Sequence, residues 1–277
     1  MTLDGMTPIP TLVAAPTIPA TGAAPAATTA VPPRPVRVLH AARRPALVLV
    51  AHGSRDPAAG AEIARLVDRL RAARPELDVR LGHLGLNAPL LPDVLDGLSG
   101  PAVLVPLLLS RGYHARVDIP AALAAAPQVT GVVAAPLGPH PLLAEALAAR
   151  LAEAGWRRGA DGRDAVVLAA SGSRDPAAAL DTAEQARLLA LRLGVPVHPG
   201  FVAAGGPSVA ETVARLTAEG RRPAVAGYFT APGDFARLAA AAGARLAAAP
   251  LGAHDAVVRL VLDRYRAGVP TLLPIAA

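Results

Sequence analysis

Ala51-His52-Gly53-Ser54-Arg55-Asp56-Pro57 recurs later in the chain as Ala170-Ser171-Gly172-Ser173-Arg174-Asp175-Pro176. Each copy follows a short apolar run, Ala46–Ala51 in the first case, and precedes a segment with apolar residues at helical spacing, such as Ile63, Leu66, Val67 and Leu70. An apolar run closing on a polar turn and reopening as a helix is the signature of a buried parallel strand entering a crossover. A second motif repeats in the same order. Ala135-Pro136-Leu137-Gly138-Pro139-His140 returns as Ala249-Pro250-Leu251-Gly252-Ala253-His254. Between these anchors Pro89-Leu90-Leu91 aligns with Pro207-Ser208-Val209, and Gly112-Tyr113-His114-Ala115-Arg116 with Gly233-Asp234-Phe235-Ala236-Arg237. Matched ends in the same order point to a duplicated domain.

Within the first copy the pattern predicts strands at Ala46–Ala51, Val79–Leu84, Ala102–Leu108 and Val129–Ala134. Helices are expected at Pro89–Leu98, at Val117–Ala126 (beginning near Pro120) and at Pro141–Ala154. Strands alternating with helices give an α/β fold of two repeated lobes, each with a mainly parallel four-stranded sheet flanked by helices. The expected layout is a Pro/Ala-rich disordered leader at 1–44, a lobe at 45–154, a polar linker at 155–164, a second lobe at 165–268 and a tail at 269–277.

Composition removes several chemistries. The chain has 277 residues and no Cys, so disulfides, thiolate ligands and Cys nucleophiles are excluded, and a transition metal must be held by imidazole or oxygen. The net charge is +6 with Arg as the sole basic residue besides His, a bias that reads as codon usage before it reads as nucleic-acid binding. No basic run with interleaved aromatics or nucleic-acid motif is present. A basic surface does attract a polyanionic small molecule. No stretch has the apolar length of a membrane span, and the N-terminus lacks a secretory pattern, so a cytoplasmic location is expected.

Comparison of the halves locates the chemistry. His52 faces Ser171 and His114 faces Phe235, while Gly, Ser, Arg, Asp and Pro persist. Both histidines fall just past strand ends, where open parallel sheets bind ligands. Two converging neutral imidazoles hold one metal ion or move protons. Asp56 and Asp175 read as helix N-caps. Arg55 and Arg174 suit a turn salt bridge or a substrate carboxylate. His140 and His254 read as structural, and His83 either packs or points into the cleft. A histidine phosphatase-like site would want Arg directly before His52-Gly53, where Ala51 stands.

His52-Gly53-Ser54-Arg55-Asp56-Pro57 after a strand, with Pro106-Leu107-Leu108-Leu109-Ser110-Arg111-Gly112-Tyr113-His114 leading to Asp118-Ile119-Pro120, resembles the sirohydrochlorin chelatase family. The resemblance runs from about Ala46 to Arg266, and its motifs are complete only in the first half. It implies two chelatase-like lobes facing across a cleft. It implies insertion of a divalent metal, Fe2+ or Co2+, into a carboxylate-fringed tetrapyrrole, with His52 and His114 as metal and catalytic residues and no organic cofactor. Ser54, Arg55, Ser110, Arg111 and Arg116 are the expected contacts to substrate carboxylates. The repeat supplies both lobes in one chain, which suits a monomer. One departure stands out: the segment Leu84-Gly85-Leu86-Asn87-Ala88 has no carboxylate where relatives commonly carry one. That leaves room for a third ligand supplied from elsewhere, or for a carrier of metal or tetrapyrrole without turnover.

Overall fold

The computed structural model describes residues 44–272. The expected leader therefore lies outside the described residues except for Arg44, as does the tail beyond Leu272. The first lobe runs β1 (Ala46–Ala51), α1 (Pro57–Ala73), β2 (Val79–His83), α2 (Leu91–Asp96), β3 (Gly100–Pro106), a π-turn at His114–Asp118, α3 (Ile119–Ala124), β4 (Val129–Val133) and α4 (Pro141–Glu153). The second runs β5 (Asp164–Ala170), α5 (Pro176–Leu193), β6 (Val197–Phe201), α6 (Val209–Ala218), β7 (Arg222–Tyr228), α7 (Asp234–Ala240) and α8 (Asp255–Gly268), closing on a 3-10 turn at Val269–Leu272.

Every strand pairing is parallel. The first sheet has the order β2-β1-β3-β4 and the second β6-β5-β7. The second sheet thus has three strands, against the four expected. Val129-Thr130-Gly131-Val132-Val133 carries β-branched residues that suit a pleated ladder. Its counterpart, Ala244-Arg245-Leu246-Ala247-Ala248, has none, and makes a single bridge between Val225 and Ala247.

The central strands are buried on both faces, as helices on each side require. One face of β1, including Leu47 and Leu49, joins Val103, Val105, Leu147 and Leu151 in a core that continues into the second lobe through Val166, Leu168, Leu189, Leu260 and Val261. Helices α1 and α4 thus pack with α5 and α8 in a shared layer between the sheets. The opposite faces carry separate cores, under α2 and α3 in the first lobe and under α6 and α7 in the second. Truncating a fully buried leucine such as Leu147 to Ala costs about 2–5 kcal/mol.

Polar links cross this layer in reciprocal pairs. Arg116 of the first lobe bonds Asp175 of the second, and Arg237, which aligns with Arg116, bonds Asp56, which aligns with Asp175. Arg150 donates to the Leu251 carbonyl at 3.1 Å, and its counterpart Arg264 donates to the Leu137 carbonyl at 3.1 Å. The repeated Ala-Pro-Leu-Gly segments are therefore each clasped by the other lobe. Asp56 and Asp175 also cap their helices, accepting from Ala58 N at 2.9 Å and Ala177 N at 3.0 Å. One carboxylate thus ends a helix and ties the lobes together.

Candidate metal-insertion site

The turn after β1 is built around Gly53. Its φ is +96°, and a Cβ placed on it would stand 1.9 Å from the Gly85 carbonyl oxygen. Only glycine permits that backbone approach. Asn87 reaches over from the loop after β2 and accepts the Ser54 N–H at 2.6 Å, while Ser54 Oγ accepts from Asp56 N at 3.1 Å. The position noted for its missing carboxylate is thus occupied by an amide that holds the turn. Its fixed shape leaves His52 exposed at the strand end.

The second imidazole arrives on the π-turn that begins eight residues past β3. The Ile119 N–H reaches back to the His114 carbonyl, five residues earlier. In a regular helix the Pro120 ring would crowd the Arg116 carbonyl, and the wider turn relieves that contact. The helix expected to begin near Pro120 starts at Ile119, and the π-turn ahead of it carries His114. The rings of His52 and His114 lie 4.9 Å apart between centroids, edge to face at 88°. Tyr113, largely exposed, stands edge-on to His114 with centroids 6.5 Å apart.

Asp118 completes the arrangement. Its carboxylate meets His114 Nδ1 at 2.5 Å. A deprotonated carboxylate can only accept, so Nδ1 carries the hydrogen, and in a neutral imidazole Nε2 then has the lone pair that a metal or a proton would take. The spacing of four residues puts both side chains on one face of the turn. Asp118 stood in the sequence motif without a role, and the His114–Asp118 spacing was the signal available. No group of three or more His, Asp or Glu side chains able to hold a metal occurs among the described residues. Among the described residues the site brings together two imidazoles and no third side chain of that kind.

The other expected site residues divide. Arg55 is exposed and has no ion-pair partner among the described residues. Ser110 lines a cavity between the lobes. Arg111 grips Asp181 through Nε and a terminal nitrogen at 2.7–3.1 Å, and its backbone N–H donates to the same carboxylate at 2.7 Å. Asp181 is 3% exposed, and the pairing raises the Arg111 pKa. Removing Arg111 would leave the buried Asp181 carboxylate without its guanidinium partner, while the 57% exposed Arg111 side chain keeps contact with solvent. Arg116 is engaged with Asp175. His83 packs: it is buried and its Nδ1 sits 3.1 Å from the Pro89 carbonyl. His140 and His254 are N-caps, their Nδ1 atoms accepting from Leu142 N at 3.2 Å and Ala256 N at 3.1 Å.

Two parallel lobes with an imidazole pair at the strand ends of one and none at those of the other define a chelatase-type α/β protein. Known proteins agree. The CbiX family model matches residues 46–154 and again 165–267. The chain belongs to the CbiX family of sirohydrochlorin chelatases. It is 32% identical over 79 residues to a sirohydrochlorin cobaltochelatase of Methanococcus maripaludis, a match covering 27% of this chain and 55% of that protein. The chain thus spans about half the length of that curated relative. SirB from Bacillus subtilis with Fe3+ superposes with a TM-score of 0.67 at 25% identity, covering 82% of this chain and 96% of that one. SirB from Bacillus subtilis subspecies spizizenii in complex with cobalt shares the fold at a TM-score of 0.66 and 23% identity, over 82% and 96%. Among the described residues no helix is long and apolar enough to cross a membrane.

Proposed function

We propose that this chain is a sirohydrochlorin chelatase that inserts Fe2+ to give siroheme, through His52 and His114. The observation that carries the reading is the 4.9 Å imidazole pair, present in one copy of the repeat and replaced by Ser171 and Phe235 in the other. A site meant to keep a metal closes around it with three or four protein ligands. Two imidazoles hold an ion loosely and leave its other positions open to tetrapyrrole nitrogens. That is the requirement for delivery as opposed to storage.

Insertion also removes two pyrrole N–H protons. With Nδ1 tied to Asp118, His114 presents a bare Nε2 that serves as ligand, as proton acceptor, or as both in sequence. Exposed apolar groups near the pair, Tyr113 and Val117 on its segment and Leu86 in the loop over Gly53, offer a wall for the macrocycle face. Arg55 and the basic balance of the chain suit its carboxylate fringe, and added salt slows capture. Arg116 reaches such a group only by releasing Asp175.

Co2+ insertion toward cobalamin is the second reading, favoured by the Methanococcus maripaludis relative. Imidazole suits both ions, and availability decides between them. The test is the absorbance of sirohydrochlorin with Fe2+ and with Co2+, with and without protein. Faster insertion of Fe2+ supports the first reading and faster Co2+ the second. Stoichiometric metal binding without turnover indicates a carrier.

A further inference from the structure

The second lobe has no imidazoles at the matching positions, and its strand ends border a cavity. It lies between the lobes and is lined by Ser110 of the first and by Ser171, Ser173, Ala179 and Gly205 of the second. Its origin is visible in the repeat. In the first lobe Asn87 inserts an amide oxygen onto the Ser54 N–H at 2.6 Å. Gly205 stands at the corresponding place, and a Cβ on it would lie 3.6 Å from Ser173 N, the counterpart of Ser54 N. The oxygen acceptor that the first lobe builds in is therefore missing from the second. The Ser173 N–H has no hydrogen-bond partner among the described residues, and neither do the hydroxyls of Ser171 and Ser110.

Other polar side chains on the wall are committed. Ser173 Oγ accepts from Asp175 N at 3.1 Å, Thr182 Oγ1 donates to the Ala178 carbonyl at 2.9 Å, and the Tyr228 hydroxyl donates to the Leu109 carbonyl at 2.7 Å. What remains includes the Ser173 amide N–H and two hydroxyls, around a volume of about 40 Å³. A single water needs roughly 10–15 Å³ on that scale. The space thus fits a carboxylate head and not a ring. Its first-lobe wall, Leu109–Ser110, continues directly into Arg111 and the His114 turn.

We propose that this cavity seats one carboxylate arm of the tetrapyrrole, its oxygen taking the place that Asn87 Oδ1 holds in the first lobe. The proposal rests on the chelatase reading above. It gives the second lobe a binding role: the arm is anchored there while the ring lies against the imidazole pair. Leaving a charged acceptor without such donors costs about tenfold or more in affinity.

The test titrates sirohydrochlorin into metal-free protein and Co2+ into separate samples. Ala179→Leu fills the cavity, and Ser171→Val, should the first variant fail to fold, replaces a hydroxyl wall with methyls. The expected result is a sirohydrochlorin Kd raised about tenfold with Co2+ binding unchanged. A Kd within twofold of wild type in both variants would overturn the proposal. Acetate that raises the melting temperature of wild type but not of Ala179→Leu, with sirohydrochlorin affinity unchanged, would assign the seat to a free carboxylate and overturn the substrate arm. Wild-type protein that binds Co2+ but no sirohydrochlorin would overturn the chelatase reading itself, and the seat with it.

Discussion

The turn after β1 and the turn after β5 share six of seven residues and differ only at His52 and Ser171. Both have the same Gly at positive φ, the same Ser closing onto Asp N, and the same Asp capping a helix. The shared residues build the turn, and the differing one decides its chemistry. The turns past β3 and β7 repeat the lesson, with His114 and Asp118 in one and Phe235 and Ala239 in the other. Both lobes keep the Asp and Arg with which each holds the other in place. The imidazoles stand in one lobe alone.

That comparison can be broken at several points. The largest effect belongs to the imidazoles: His52→Ala or His114→Ala abolishes sirohydrochlorin-dependent metal insertion, with the circular dichroism and melting profile of wild type. Turnover near wild type in both variants would remove the mechanism.

Next comes Asp118→Ala. A group that orients a metal-bound imidazole is worth about 10–100-fold in metal affinity. A loss of that size is expected in a Co2+ titration, with Asp118→Asn recovering part of it through the retained acceptor oxygen.

A smaller effect tests the reciprocal links. Asp56→Asn keeps a good helix cap but removes the charge that meets Arg237. The Arg237 side chain is 63% exposed, so the loss is small, read as a slight fall in melting temperature that high salt reproduces in wild type. Asp175→Asn should match it, since the two links are equivalent.

The mildest test uses pH. Burial, helped by Arg264 for His140 and by Arg150 for His254, pushes both pKa values below their ordinary 6.5. Between the lowered value and 6.5 the unfolded chain binds more protons, so stability falls as pH drops below 6.5 and is fully present above it. The melting temperature should decline from about pH 7 to about pH 5, and His140→Asn with His254→Asn should flatten that slope.

Much of this was legible in the chain. The repeat, the strand ends and the lost imidazoles are local patterns, and local patterns fix where a parallel sheet presents its ligands. The caps at Asp56 and Asp175 follow from Asp-Pro before an apolar period. Their second role did not show. Arg237 and Asp56 are 181 residues apart, and Arg116 and Asp175 are 59 apart, so nothing in either segment announces the pairing. For the same reason nothing near Arg111 in the sequence announces its pairing with Asp181, 70 residues on. The repeat alone implies a fourth strand in the second lobe, but the alanine-rich segment there does not hold a ladder. The cavity beside Ser173 was hidden because it exists by subtraction, through glycine at a place where the first lobe has Asn87.

The most direct measurement counts Co2+ per chain by equilibrium dialysis. One equivalent is predicted for wild type and for Ser171→Ala, and none at the same free metal concentration for His52→Ala and for His114→Ala. A full equivalent retained by both histidine variants would show that the ion is held elsewhere and that these two side chains do not share it.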